Sequence, residues 1–501
     1  MSLEYSYKDV EWCSLSHYKS DECFCEGNII IPDSMDDIAK IVTVKAHPCI
    51  TDVKCENGRI VINGQVKLTV LYLCENENDR IATLSATQPF SHTITADNIS
   101  EDNIALVNIT SCSVNHSTVN SRRLKTTALL RFSAQCYKNS RLKILSDVSG
   151  AEVKSKEYSF SSARVICRKT AVVNSTAEIP TGKDAIVSIL KQDVRISDKD
   201  FKVLSNKLII KGNIAISILY CSHNGITDAS VSIPFTEVVE AEGLSPSCQT
   251  QVSAHVSDWD ITPDTDLSGE YRMLDANIIL SVTIKAFTPH SVLAINDIYL
   301  PGGALSTKQT NIILQDSADE VTGEEFVKEI INLPKGAPSV YKVLDAECHV
   351  SDITCSENTA TANADVCVMY LSSDSPTSVN TVSARIPIAH KLSSQNLCDT
   401  KCSLGHISYS IASPDSLELR LNAIFASTPT EESTATVLTE CVEESYTPEK
   451  RASIIVCVVK MGDSLWDIAK KYNISPSHLA SANAIDENAV LTVGEKLIIP
   501  R

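Results

Sequence analysis

The 501-residue sequence has no run approaching the roughly 20 apolar residues needed to cross a bilayer. Its longest notable run, Ile454 to Val459, is six residues, which excludes a helical membrane span. The first 30 residues are rich in charge and hold no apolar stretch of signal-peptide length, so no secretory leader is expected. Positive charge is scarce: 44 Lys and Arg against 62 Asp and Glu give a net charge of −18. So acidic a chain repels a phosphate backbone and an anionic membrane surface, which argues against nucleic-acid binding. Catalytic signatures are missing as well. No GxSxG, P-loop, GxGxxG or HExxH occurs, and the 11 histidines form no recognisable block. The expectation is a non-enzymatic protein with no catalytic residue, no cofactor and no metal site.

What is present is apolar residue and thiol. The hydrophobic fraction is 43 % and the charged fraction 21 %, enough to bury real cores and to exclude a disordered chain. Eighteen cysteines is a high count, yet no CxxC occurs; Cys23/Cys25 and Cys398/Cys402 are the closest pairs. Without a leader, reduced thiols are the expectation. Cys74, Cys221 and Cys367 fall in strand-like runs, where a thiol packs as a small hydrophobe. The functional alternative is later oxidative cross-linking in an assembled layer.

Most of the chain is a triplicated pattern. Three segments open on an apolar residue and a proline, Ile31-Pro32, Ile179-Pro180 and Leu333-Pro334, with the prolines 148 and 154 residues apart. Each continues with an aliphatic–hydroxyl–Asp triplet: Ile50-Thr51-Asp52, Ile196-Ser197-Asp198 and Val350-Ser351-Asp352. An alternating run then ends at Tyr72, Tyr220 or Tyr370. Gly64 and Gly212 stand at the same place in the first two copies, and Ala362 takes it in the third. A second proline follows in each (Pro89, Pro234, Pro387), then another alternating run. Period-2 alternation in β-branched residues marks half-buried strands, and prolines suit strand ends. The fold class expected is mainly β: three tandem sandwich-like domains, with each triplet Asp capping a turn.

These motifs, in triplicate order, resemble the DUF3794 domains found in tandem in clostridial spore-coat proteins. The domains are placed at 1–146, 147–298 and 299–428. Residues 429–452, rich in Thr and Glu with two prolines, have the composition of a linker.

The texture changes over 453–501. Ser464-Leu465-Trp466-Asp467 reads as a capping box opening a helix. Leu465, Ile468, Ala469 and Tyr472 form its apolar face. Asn473 ends it; Ser475 and Pro476 start a second helix that turns Leu479 and Ala482 inward. Flanking runs Ile454–Val459 and Lys496–Ile499 make a small βααβ unit. Val459, Lys460, Gly462, Asp463, Ser464, Leu465, Ile468, Ala469, Tyr472, Leu479, Asn483, Gly494, Leu497, Ile499 and Pro500 resemble the LysM pattern. That resemblance implies binding of peptidoglycan or other N-acetylglucosamine glycans in a groove between the loop Gly462, Asp463, Ser464, Leu465 and the loop at Val490 and Leu491. Gly462–Leu465 also spells the nucleophile block of GDSL hydrolases, but only 37 residues follow Ser464, too few for that fold.

One departure points elsewhere: the aromatic that usually opens the first LysM strand is Cys457 here. With Cys457 and Val459 inward, Ile454, Val456 and Val458 point outward. Trp466 stands off the apolar helix face, so these four are expected to form an exposed patch for a protein partner. Three DUF3794-like domains before a LysM domain resemble the morphogenetic proteins of the clostridial spore coat. The resemblance implies a mother-cell scaffold at the forespore surface that grips the coat-basement ATPase, stage IV sporulation protein A, and further coat proteins.

Overall fold

The computed structural model describes residues 3–75, 80–317, 320–372, 379–393, 397–447 and 455–500. The first copy of the repeat supplies β1 (Glu4–Ile30), β2 (Ile38–Glu56), β3 (Arg59–Cys74), β4 (Ile81–Thr95), β5 (Ile104–Asn120) and β6 (Arg123–Ser149). The second supplies β7 (Glu152–Glu178), β8 (Ser188–Leu204), β9 (Lys207–Ser222), β10 (Gly225–Glu240), β11 (Gln249–Thr265) and β12 (Tyr271–Tyr299). The third supplies β13 (Ala304–Ser317), β14 (Val321–Asn332), β15 (Val340–Ser356), β16 (Thr359–Ser372), β17 (Val379–Lys391), β18 (Leu397–Ser413) and β19 (Ser416–Glu444). In each copy a sheet centred on β3, β9 or β16 faces a second sheet centred on β6, β12 or β19, and the two share one core.

The expected alternation produces this arrangement. Along β3, Ile60, Ile62, Val66, Leu68, Val70 and Tyr72 are buried on one face, each worth about 1.5–3 kcal/mol of apolar burial. Tyr72, Tyr220 and Tyr370 end the central strands with fully buried rings. Their hydroxyls donate to the carbonyls of Asp36 (3.1 Å), Asp184 (2.8 Å) and Pro338 (3.2 Å), in the loop after each copy's first proline. The triplets do not cap turns. They lie at β-bulges, where the register slips between Ile50 and Asp52, Ile196 and Asp198, and Ser351 and Thr354. The extra residues Thr51 and Ser197 donate their hydroxyls across the ladder to the Asn63 and Asn213 carbonyls, at 3.1 and 3.2 Å. The bulge explains the recurring glycine: a Cβ on Gly64 or Gly212 would strike the carbonyl of Cys49 or Asp198.

The copies do not lie in a row; they close around a common axis. Val42, Leu190 and Leu344, each ten positions after its copy's proline, share one apolar cluster. Lys45, Asp193 and Glu347, each thirteen after, meet beside it. Lys45 Nζ lies 2.9 Å from Asp193 and 3.0 Å from Glu347, and Lys191 pairs with Asp345 and Glu347. Burial alone would raise the Glu347 carboxyl, but Lys191 and Lys45 hold it at about 2.

The long strands run beyond the sandwiches into a three-ribbon stem. There β1 pairs with the end of β6, β7 with the end of β12, and β13 with the end of β19. Ile144, Ala294 and Val437 pack together inside it, and nearer the tip Leu145, Ile295 and Leu438 do the same. This corrects the linker expectation. Residues 429–444 continue β19, and Ala435, Val437, Leu438 and Cys441 are buried. Thr is a good strand former, and a ribbon with one wet face needs few apolar residues, so the composition misled. Beyond it, β20 (Ile455–Val458), α1 (Leu465–Lys471), α2 (Pro476–Asn483) and β21 (Lys496–Ile499) form the terminal module.

Candidate functional site

The module's two strands pair antiparallel, Ile455 with Ile499 and Val458 with Lys496. Ser464 caps α1: its Oγ accepts from the Asp467 N–H, and Asp467 accepts from the Ser464 N–H, both at 3.2 Å. Ser475 caps α2, with Pro476 in its first turn. Cys457, Val459, Leu465, Ile468, Ala469, Leu479, Leu497 and Ile499 fill the core. Ala480 is buried there, whereas Ala482 is exposed. Asn483 clamps the edge of β21, donating to the Ile498 carbonyl (2.7 Å) and accepting from the Ile498 N–H (2.6 Å).

The outward residues form a stripe. Val456 is 51 % exposed and Val458 49 %, and Ile498 on the neighbouring strand is 52 % exposed. Ile454 lies outside the described residues. Sequence reasoning missed Ile498, although the period of two places it beside Val456.

Trp466 does not join this stripe, and the expected four-residue patch is corrected there. Its indole N–H donates to Asp297 Oδ2 at 2.8 Å, and its ring meets Tyr299 edge-on with centroids 5.0 Å apart. Both partners belong to the end of β12, at the stem tip. Lys470 also pairs with Asp297. The Tyr299 hydroxyl donates to the Ile474 carbonyl at 2.8 Å. Asn473 Nδ2 donates to the Gly303 carbonyl at 2.9 Å, and the Gly302 N–H donates to the Asn473 carbonyl at 3.1 Å. Burial pushes the Asp297 carboxyl up, but hydrogen bonds from Lys470 and Trp466 outweigh it and leave it below the ordinary value. Nothing in the segment Asp297–Gly303 marks it as a docking surface; its partners come from 170 residues away.

The groove candidates divide. Gly462 is exposed in the left-handed region at φ +90°, a conformation that favours glycine, and Val490 is 96 % exposed. Asp463 accepts from the Lys460 N–H at 2.9 Å and Ser464 is spent on the cap, so both carboxylate and hydroxyl serve the turn. Leu465 is buried in the module core and Leu491 packs against it, so neither offers a free side chain to a groove. Among the described residues no cluster of His, Cys, Asp or Glu has metal-site geometry, and no helix is long and apolar enough to cross a membrane.

Residues 37–119 and 185–264 match the family model described as SipL, SPOCS domain, and residues 457–500 match that of the LysM domain. Neither a curated protein nor a solved structure matches. The two SPOCS segments cover β2–β5 and β8–β11, and the third copy repeats their strand order at β15–β18. Both matched families are non-catalytic binding domains, and their combination supports a sporulation scaffold with a binding module. The chain thus carries two segments of the SipL SPOCS type, a third copy with the same strand order, and a C-terminal LysM domain.

Proposed function

We propose that the chain is a non-enzymatic scaffold of spore-coat assembly whose LysM module grips a protein, the coat-basement ATPase (stage IV sporulation protein A). It acts in the mother-cell cytoplasm at the forespore surface, where its SPOCS body receives other coat proteins. The observation that carries this reading is the half-exposed stripe Val456, Val458 and Ile498, on a module whose opposite side already packs on the stem. Apolar residues gathered on one small face favour a protein partner. The acidic body and the two SPOCS matches agree with an internal assembly role. The test is co-purification of the full chain with that ATPase: Val456→Arg with Val458→Arg is expected to abolish it while the circular dichroism spectrum stays unchanged. Retained binding would contradict the reading.

A second reading has its own support. Gly462 and Val490 stay open on the two loops that flank a LysM groove, which favours N-acetylglucosamine glycans of cortex or wall. It calls for sedimentation with purified peptidoglycan and loss of sedimentation in Gly462→Trp. The scaffold reading expects little sedimentation.

A further inference from the structure

We propose that the stem tip is a receptor for the first helix of the terminal module, and that it occupies the Trp466 indole so that another protein can use that indole fully only once the contact is broken. Three independent contacts converge on Trp466 and its neighbours. Asp297 accepts from the Trp466 indole at 2.8 Å and pairs with Lys470. Tyr299 meets the indole edge-on and ties its hydroxyl to the Ile474 carbonyl. The tip's Gly302–Gly303 turn exchanges two hydrogen bonds with Asn473. A tryptophan offering both ring and N–H is the commonest kind of interface anchor, and here the chain itself occupies it.

The contact is small. It rests on one carboxylate, one turn and one phenol whose ring is buried against the module's apolar core. The sheet face with Val456, Val458 and Ile498 lies clear of it. A partner can therefore land on the stripe while the module is docked, but it reaches Trp466 only by displacing Asp297 and Tyr299. The docked form is the low-affinity form, and a first contact on the stripe precedes release. This step rests on the proposed protein-binding function; the docking does not.

The test uses the full chain with its three indoles 15N-labelled, the Trp466 signal being the one lost in Trp466→Phe. A soluble gadolinium chelate reports how far each indole lies from solvent. Asp297→Ala and, as a conservative variant that keeps the fold, Tyr299→Phe are expected to raise relaxation of the Trp466 signal several-fold. Both leave the module's own surface unchanged. The same variants are expected to bind the purified coat-basement ATPase more tightly, by roughly tenfold for Asp297→Ala, the scale of a lost hydrogen bond to a charged group. If Trp466 in the unaltered chain is already as accessible as in the variants, the docking is overturned. If the variants free Trp466 but the ATPase binds every chain equally, the competition is overturned. If no chain binds the ATPase while the variants free Trp466, the docking stands and the proposed partner falls.

Discussion

At the residue scale, stability is concentrated where the three copies meet. Lys45, Lys191 and Glu347 are nearly inaccessible, and the two cations share the same carboxylate. Removing one partner of a buried pair leaves an uncompensated charge and costs about 3–5 kcal/mol. Lys45→Met is therefore expected to lower the denaturation free energy by that amount, read from urea melts at pH 7. Acid acts on the same group. The Glu347 carboxyl sits at about 2 when folded, below the usual 4.5. As pH falls, the unfolded chain takes up the proton first. The contribution is full above about pH 4.5 and is lost as pH drops toward 2, by up to about 3 kcal/mol. Glu347→Gln should flatten the stability profile across that window and leave its slope near neutrality alone. The buried tyrosines make a gentler case. Tyr220→Phe keeps the ring and loses only the bond to the Asp184 carbonyl. About 1 kcal/mol is expected, and an unchanged urea midpoint would show that the bond is not needed.

At the element scale, β19 separates what the sequence announces from what it conceals. Leu417 to Phe425 alternates cleanly and reads as strand. The following Thr/Glu stretch reads as linker, because its buried residues, Ala435, Val437 and Cys441, are sparse and its partner β13 is more than 100 residues upstream. Deleting 429–444 is thus expected to unfold the stem end of the third copy, seen as lost protection in hydrogen exchange over β13. A mere connector would tolerate the deletion. The bulges were half legible. Recurrence of the hydroxyl–Asp pair announced a shared local structure, but only the ladder shows that the hydroxyl bonds across it rather than closing a turn. The bounds of the terminal helices were legible, since capping boxes and prolines act within four residues, but the inward face of the second was not: Ala480 is buried and the expected Ala482 is exposed. Trp466 was not legible. Its neighbours predict that it stands off the apolar helix face, but whether water or Tyr299 meets it depends on a segment far away in the chain.

At the scale of the whole molecule, the triplication becomes one body. Equivalent positions carry unlike charge, Lys45 against Asp193 and Glu347, so three different copies close around the axis where three identical ones would repel. The body narrows to a stem, with each ribbon spanning about 12 residues or roughly 40 Å, and the LysM module sits at its far end. The chain therefore holds its binding module at a set distance from the SPOCS copies, a geometry suited to bridging two layers. In the proposed scaffold, the stripe Val456–Val458–Ile498 is the surface that grips the protein partner. The most direct measurement is the equilibrium affinity of the full chain for the purified coat-basement ATPase, with and without Val456→Arg and Val458→Arg, beside sedimentation with peptidoglycan. Tight binding that the double substitution abolishes, with little glycan sedimentation, is the expected result. Sedimentation with glycan and no measurable affinity for the ATPase would contradict the account.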